Sequence, residues 1–114
     1  MKLKDVAKKL NLKELNSTNL EIEVKGGLST DLLSLVLANS SPGSIWVTHQ
    51  NHPNIIAVSL LAELSAIIVI GKVEKETVDI AKEKGVNLFF TNKPLFDTVG
   101  CLYSLGIKAE DATV

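Results

Sequence analysis

The chain has 114 residues, 46% of them hydrophobic but only 4% aromatic, and its formal net charge is −1. This size predicts one compact domain, residues 1–114, with a core of branched aliphatic side chains. All 12 basic residues are lysines, so the bidentate arginine contacts of a dedicated nucleic-acid surface are missing. We therefore expect no nucleic-acid partner.

Cysteine usage and the N-terminus indicate the compartment. Cys101 is the only cysteine, which excludes an intramolecular disulfide and favours a reducing compartment. Residues 1–5 lack the apolar core of a secretory signal, and the longest apolar stretches are too short to span a bilayer. These features predict a cytoplasmic protein without membrane contact.

The chain is predicted to begin with a helical lead-in, residues 1–19. Apolar side chains recur at helical spacing over residues 3–10, with lysines between them, which predicts a short amphipathic helix. Asn11 is a suitable end for this helix. Leu12 and Leu15 are predicted to begin a second helical turn.

Four short apolar runs follow, and helix-period segments separate them. This alternation is typical of βαβ units around a parallel sheet. The first run alternates apolar residues with glutamates, which favours an edge strand, whereas the third is continuously apolar and should be central. The sequence predicts a three-layer α/β/α fold with a mainly parallel sheet of four to five strands, including residues 20–24, 44–48, 66–70 and 86–90. Periodicity does not encode the strand order.

Helices are predicted between these strands. Residues 29–31 offer N-cap side chains for a helix over residues 31–38, and the next helix opens at Pro53 or Asn54. A helix with a charged face follows the third strand and stops at Gly85.

The last helix is predicted to begin at Pro94 and to end at Gly106. Residues 108–114 are predicted to form a frayed tail. The predicted apolar side of this helix carries Phe96, Val99, Leu102 and Tyr103.

Parallel sheets bind ligands at the carboxyl ends of their strands, and three polar groups follow predicted strand ends. The first is a glycine loop that contains Gly26, Gly27 and Ser29. Two glycines before hydroxyls and a helix start can present backbone N–H groups to an anion. The spacing is neither that of a Walker loop nor that of a dinucleotide fingerprint. A plain glycine turn into the next helix is the alternative interpretation.

The second group follows the second strand and holds both histidines: Thr48, His49, Gln50, Asn51 and His52. Polar residues concentrated in a strand-end loop favour ligand contact. A loop that caps the helix at Pro53 is the alternative interpretation. The histidine spacing is not a zinc pattern, and we predict no metal and no cofactor.

The third group consists of Thr91 and Asn92 with Lys93, and Lys72 follows the neighbouring strand. These lysines could supply positive charge to an acidic ligand. The alternative is that they are simply solvated, as most lysines are.

Several of these segments together resemble a known family, the DRTGG domain. The resemblance rests on the glycine pair, the helix start at 31–34 and the runs 45–50 and 52–58, and it extends over about residues 21–107. Residues 23–25 are Glu-Val-Lys and differ from the Asp-Arg-Thr that gives the family its name.

The resemblance implies a parallel-sheet fold similar to the N-terminal domain of HPr kinase. Members of the family are fused to phosphotransacetylases and to CBS-domain pyrophosphatases, where the domain is regarded as regulatory or as an assembly module. The resemblance implies a ligand-sensing or dimerising module and assigns no catalytic residue.

We therefore expect a non-catalytic regulatory or assembly module that binds a nucleotide or another small anionic metabolite at the carboxyl ends of the strands. The candidate ligand-binding residues are Gly26, Gly27, Ser29, Thr48, His49, Gln50, Asn51, His52, Thr91 and Asn92. The alternative function is a small hydrolase or transferase with His49 as general base, although the sequence lacks a recognisable nucleophile elbow.

We also expect a homodimer or a docking subunit of a larger regulatory system, since closed two-fold dimers are the commonest assemblies. Exposed apolar residues are candidates for the interface, and aromatic residues are favoured anchors. The candidates are Trp46, Leu95, Phe96 and Tyr103. For Trp46 and Phe96 taken singly, burial over the sheet is the alternative interpretation.

Overall fold

The computed structural model describes residues 1–109, within which the chain forms five helices and one five-stranded sheet. The helices are α1 (Leu3–Lys9), α2 (Leu33–Asn39), α3 (Asn54–Leu61), α4 (Lys75–Lys84) and α5 (Leu95–Ser104). The strands are β1 (Lys13–Asn16), β2 (Gly26–Ser29), β3 (Ser44–Thr48), β4 (Ala66–Ile70) and β5 (Leu88–Thr91). Most of the predicted frayed tail, residues 110–114, lies outside the described residues.

The sheet has the order β1-β5-β4-β3-β2, and every neighbouring pair is parallel except β1 with β5. One apolar cluster joins the sheet to α1 and α5, and a second joins it to α2, α3 and α4. The predicted α/β class and the three layers are confirmed. So is the central position of β4, because a strand covered by helices on both faces needs apolar side chains at every position.

The predicted first strand, residues 20–24, is wrong. This segment turns over the start of α1, where the Leu3 N–H donates to the Ile22 carbonyl over 2.9 Å and the Val24 N–H donates to the Met1 carbonyl over 2.9 Å. Leu20 and Ile22 pack against the core, and Glu21 pairs with Lys4 over 2.8 Å. The alternating pattern therefore has a buried side and a solvent-exposed side, as predicted. The buried side, however, packs over α1, and the segment does not pair with a strand of the sheet.

The edge strand β2 is instead formed by the residues predicted as a glycine loop. Gly27 lies where a Cβ would come within 3.3 Å of Ile107 Cγ2 and 3.5 Å of Ile45 Cγ2. Its N–H donates to the Lys108 carbonyl over 3.0 Å. Glycine is needed here because the segment after α5 passes close against the edge strand.

The predicted second helical turn around Leu12 and Leu15 is also wrong. These residues flank and enter β1, which runs antiparallel to β5 with Lys13 opposite Phe90. Leu12 packs in the cluster with α1 and α5, whereas Leu15 packs in the cluster with α2, α3 and α4. Residues three apart on a strand face opposite sides of the sheet, so each leucine reaches its own core.

Of the four residues predicted on the apolar side of α5, only Leu102 is buried. Leu95, Cys101 and Leu105 pack beside it in the core. Phe96 is 88% exposed, and Val99 and Tyr103 are also exposed. Trp46 is fully buried and donates its Nε1–H to the Thr30 carbonyl over 2.9 Å, so it cannot be an interface anchor.

The predicted helix end at Gly85 is confirmed, with a left-handed φ of 72° at the C-cap. The helices described in residues 1–109 are all too short or too polar to cross a bilayer.

Candidate functional site

The carboxyl ends of β2, β3, β4 and β5 meet at one edge of the sheet, since the four strands are parallel. This carboxyl edge carries the polar residues that follow each strand. The histidine loop, residues 48–52, lies after β3, and Lys72 and Asn92 lie in the loops after β4 and β5. Two of the three predicted polar groups therefore lie on the same edge.

The glycine pair does not reach this edge. Gly26 lies opposite Ser44, at the amino end of β3, and Gly27 lies opposite Ile45. The Gly27 N–H is already used by the Lys108 carbonyl. The predicted anion-binding glycine loop is therefore wrong in its placement, and only Ser29, opposite Val47, approaches the carboxyl ends.

Asp31, which sequence reasoning considered only as a helix cap, organises the β2–β3 part of this edge. Its carboxylate accepts hydrogen bonds from Thr48 Oγ1 at 2.8 Å, from the His49 N–H at 2.8 Å and from His49 Nδ1 at 3.1 Å. Helix α2 begins after Leu32 without a side-chain cap. The only signal in the sequence was an acidic residue shortly before a predicted helix, which is equally typical of an N-cap.

The surroundings of Asp31 lower the pKa of its carboxyl group below the ordinary value of 3.8. Partial burial raises this pKa, but the hydrogen bonds from the His49 N–H, the Thr48 hydroxyl and the His49 imidazole together outweigh it. Asp31 is therefore an ionised acceptor at neutral pH.

Gln50 and Thr48 hold the start of the histidine loop. Gln50 donates its Nε2–H to the Asp31 carbonyl over 2.9 Å, and its N–H donates to Thr48 Oγ1 over 3.0 Å. Thr48 is fully buried, and its hydroxyl both donates and accepts. The loop is therefore fixed to the segment that leaves β2.

Asn51 and His52 tie the same loop to the segment after β4. Asn51 donates its Nδ2–H to the Lys72 carbonyl over 3.0 Å, and the buried Thr77 hydroxyl donates to the Asn51 carbonyl over 2.7 Å. His52 Nδ1 lies 2.7 Å from Glu74 Oε2. Helix α3 has no side-chain cap at Pro53, so these side chains join three loops and do not cap that helix.

Both histidines use the same ring nitrogen within this network. In each case Nδ1 faces a carboxylate oxygen, Asp31 Oδ2 at 3.1 Å for His49 and Glu74 Oε2 at 2.7 Å for His52. The two side chains remain exposed, at 51% for His49 and 63% for His52. Across residues 1–109 the structure contains no group of His, Cys, Asp and Glu that could hold a metal ion.

The other end of the edge has a different chemistry. Thr91 is buried, and its hydroxyl accepts the Lys93 N–H over 3.2 Å. Asn92 is exposed and lines two neighbouring cavities of about 340 and 310 Å³. Lys72 lines the first cavity, and Lys13 and Lys93 line the second.

Comparison with solved structures identifies a regulatory protein of similar fold. No family model and no curated protein matches the sequence. The fold is similar to the CBS and DRTGG domains of the regulatory region of Clostridium perfringens pyrophosphatase, solved in complex with the activator diadenosine tetraphosphate. The TM-score is 0.72 at 18% identity, over 99% of this chain and 52% of the other. The chain has a DRTGG-like fold. It spans about half the length of that regulatory region.

Proposed function

We propose that this protein is a non-catalytic regulatory module that binds a nucleotide or another small anionic metabolite at its carboxyl edge. The observation that carries the proposal is the histidine loop. Hydrogen bonds from Gln50 and Asn51 and contacts at both histidines hold it to the segments after β2 and β4, yet the imidazoles stay exposed.

A loop held in this way suits recognition because its ordering is already complete before a ligand arrives. Exposed imidazole Nε2 atoms and amide groups can accept from or donate to a ligand. The similar fold belongs to a regulatory region that was solved with a nucleotide activator. This likeness supports a ligand-sensing role.

The test is a thermal-shift and calorimetry screen of nucleotides and phosphorylated metabolites. A ligand at about ten times its Kd adds roughly 1.4 kcal/mol and should raise Tm by about 5–10 °C. We expect His49→Ala and His52→Ala to weaken that response. Asn39→Ala, an exposed change at the opposite end of α2, should leave it unchanged. No stabilisation by any compound at millimolar concentration would contradict a metabolite-binding role.

The alternative function, hydrolysis or transfer with His49 as general base, has one favourable observation. His49 Nδ1 is paired with Asp31, which is the arrangement that orients a catalytic imidazole. Hydrogen bonds described in residues 1–109 link the His49 ring only to Asp31. Broad substrate screening of the wild type and His49→Ala decides between the two: a turnover that His49→Ala abolishes would replace the regulatory role.

We further propose that the module assembles as a homodimer through the outer side of α2 and α3. From Leu32 to Ala62 the sequence contains no Asp, Glu, Lys or Arg. Five exposed leucines lie on these two helices or directly before α2: Leu32, Leu35, Leu37, Leu60 and Leu61. A two-fold axis brings a surface against itself, so a charged surface would place like charges together. An uncharged leucine surface carries no such penalty.

Light scattering at about 50 μM, where a stable dimer with Kd near 1 μM stays assembled, tests this arrangement. Leu61→Glu should give a monomer, because Leu61 is 74% exposed and the dimer would then bury two carboxylates. Phe96→Glu, on the other side of the sheet, is the matched control and should remain dimeric. A monomeric wild type, or dissociation by Phe96→Glu alone, would contradict the α2–α3 interface.

A further inference from the structure

We infer that the anionic part of the ligand is held at the β4–β5 end of the carboxyl edge, by a lysine cluster of Lys13, Lys72 and Lys93, and that the ligand is a nucleoside polyphosphate. This inference rests on the proposed ligand-binding role and assigns it a location. The sequence singled out Lys72 and Lys93 as sources of positive charge, and it gave no indication for Lys13.

Three separate segments bring the lysine cluster together. Lys13 opens β1, which lies antiparallel to β5 and so starts at the carboxyl edge. Lys72 follows β4, and Lys93 follows β5. Lys13 and Lys93 line one cavity with Thr91 and Asn92, and the adjoining cavity shares Asn92 with Lys72.

Within residues 1–109 the lysine cluster forms no ion pair, and the acid that shares a cavity with it is Asp97, which lines a third cavity with Lys93. The ion pairs described in residues 1–109 involve other cations, and no Asp or Glu lines either of the first two cavities. By contrast, the carboxylates of Asp31, after β2, and of Glu74, in the loop after β4, both lie against the histidines. Of the two ends of the edge, the lysine end is the one that favours phosphate.

The cavity that holds Lys72 is otherwise apolar. Leu15, Val73 and Phe90 line it, each partly buried, with Asn92 at the boundary to the second cavity. A flat ring can pack against such side chains while an amide hydrogen-bonds to its edge. The cavities thus combine an apolar compartment with an adjoining cationic one, which matches a nucleobase joined to a phosphate chain.

The experiment measures the affinity of ATP and of inorganic triphosphate by calorimetry at low and high salt. An exposed ion pair contributes up to about fivefold in affinity, so we expect the double variant Lys13→Gln/Lys93→Gln to bind ATP roughly tenfold more weakly. Its salt dependence should also be smaller, because exposed charges are screened. Lys84→Gln, in the last turn of α4 at the opposite edge, is the matched control and should bind like the wild type. Phe90→Leu should weaken the binding of ATP more than the binding of triphosphate.

The outcomes separate this inference from the proposed function. Unchanged ATP affinity in the double lysine variant, together with a loss in His49→Ala, would overturn the lysine site and leave the regulatory role standing. Binding of another metabolite but of neither ATP nor triphosphate would overturn the ligand class. An equal loss of ATP affinity in the double variant and in Lys84→Gln would show that the loss depends only on the net charge of the protein, and would also overturn the site.

Discussion

Replacing Asp31 by alanine is expected to lower the free energy of unfolding by about 1–2 kcal/mol. The change removes one acceptor of three hydrogen bonds, two from His49 and one from the Thr48 hydroxyl. Thr48 is fully buried, and a buried donor left without its acceptor costs roughly 1–3 kcal/mol. The Asp31 side chain is itself 47% exposed, so water can replace part of what is lost and the lower half of that range applies.

The charge of Asp31 can be separated from its shape with Asp31→Asn, which retains one acceptor oxygen. A carboxyl group whose pKa is lowered by folding stabilises the native state above its ordinary pKa of 3.8, and that contribution is lost as the pH falls through the lowered value. The wild type should therefore exceed Asp31→Asn in stability at pH 7, and the difference should be smaller at an acidic pH well below 3.8.

Urea unfolding followed by circular dichroism at both pH values gives these free energies. Asp79→Asn is a suitable control, because Asp79 on α4 is exposed and its nearest cation, Lys75, is 3.7 Å away. That change should cost less than about 0.5 kcal/mol. An Asp31→Ala variant as stable as the wild type, or a difference between wild type and Asp31→Asn that grows in acid, would refute the role assigned to this carboxylate.

Four further substitutions, in two pairs, test the core and the helix glycines by the same urea assay. Trp46→Phe should lower the free energy of unfolding by about 2–3 kcal/mol, because it leaves a cavity and removes the donor to the Thr30 carbonyl. Tyr103→Phe, on the exposed side of α5, should leave it nearly unchanged. Gly85→Ala should cost about 1 kcal/mol because φ is +72° there. Gly100→Ala, inside α5 with nothing within 4 Å of the added Cβ, should stabilise by up to about 1 kcal/mol; equal effects of the two glycine changes would contradict this reasoning.

The sequence by itself determined the fold class and the strands that are buried on both faces. Residues 44–48 and 66–70 are strands at the predicted bounds, and β5 begins two residues after its predicted start, at Leu88. These elements could be predicted because, in an α/β fold, a short apolar run between polar residues fits a strand that helices cover on both faces. The end of α4 at Gly85 could also be predicted from the local sequence, because a helix that ends in a left-handed residue favours glycine there.

The tertiary structure decided which surface each ambiguous segment covers. The alternation in residues 20–24 satisfies a strand on a sheet and a segment over α1 equally well, and the choice rests on backbone hydrogen bonds to Met1 and Leu3 that no local pattern encodes. The strand β1 depended in the same way on a partner far along the chain, β5.

The candidate site likewise contains residues that could be predicted from the sequence and residues that only the tertiary structure brings together. Its members in the histidine loop and at Thr91 and Asn92 could be predicted, because parallel strands bring their carboxyl ends to one edge. The acceptor role of Asp31 and the grouping of Lys13 with Lys93 could not, because both depend on strand order. Strand order is set by how the helices pack across the whole sheet, and the periodicity of any one segment does not contain it.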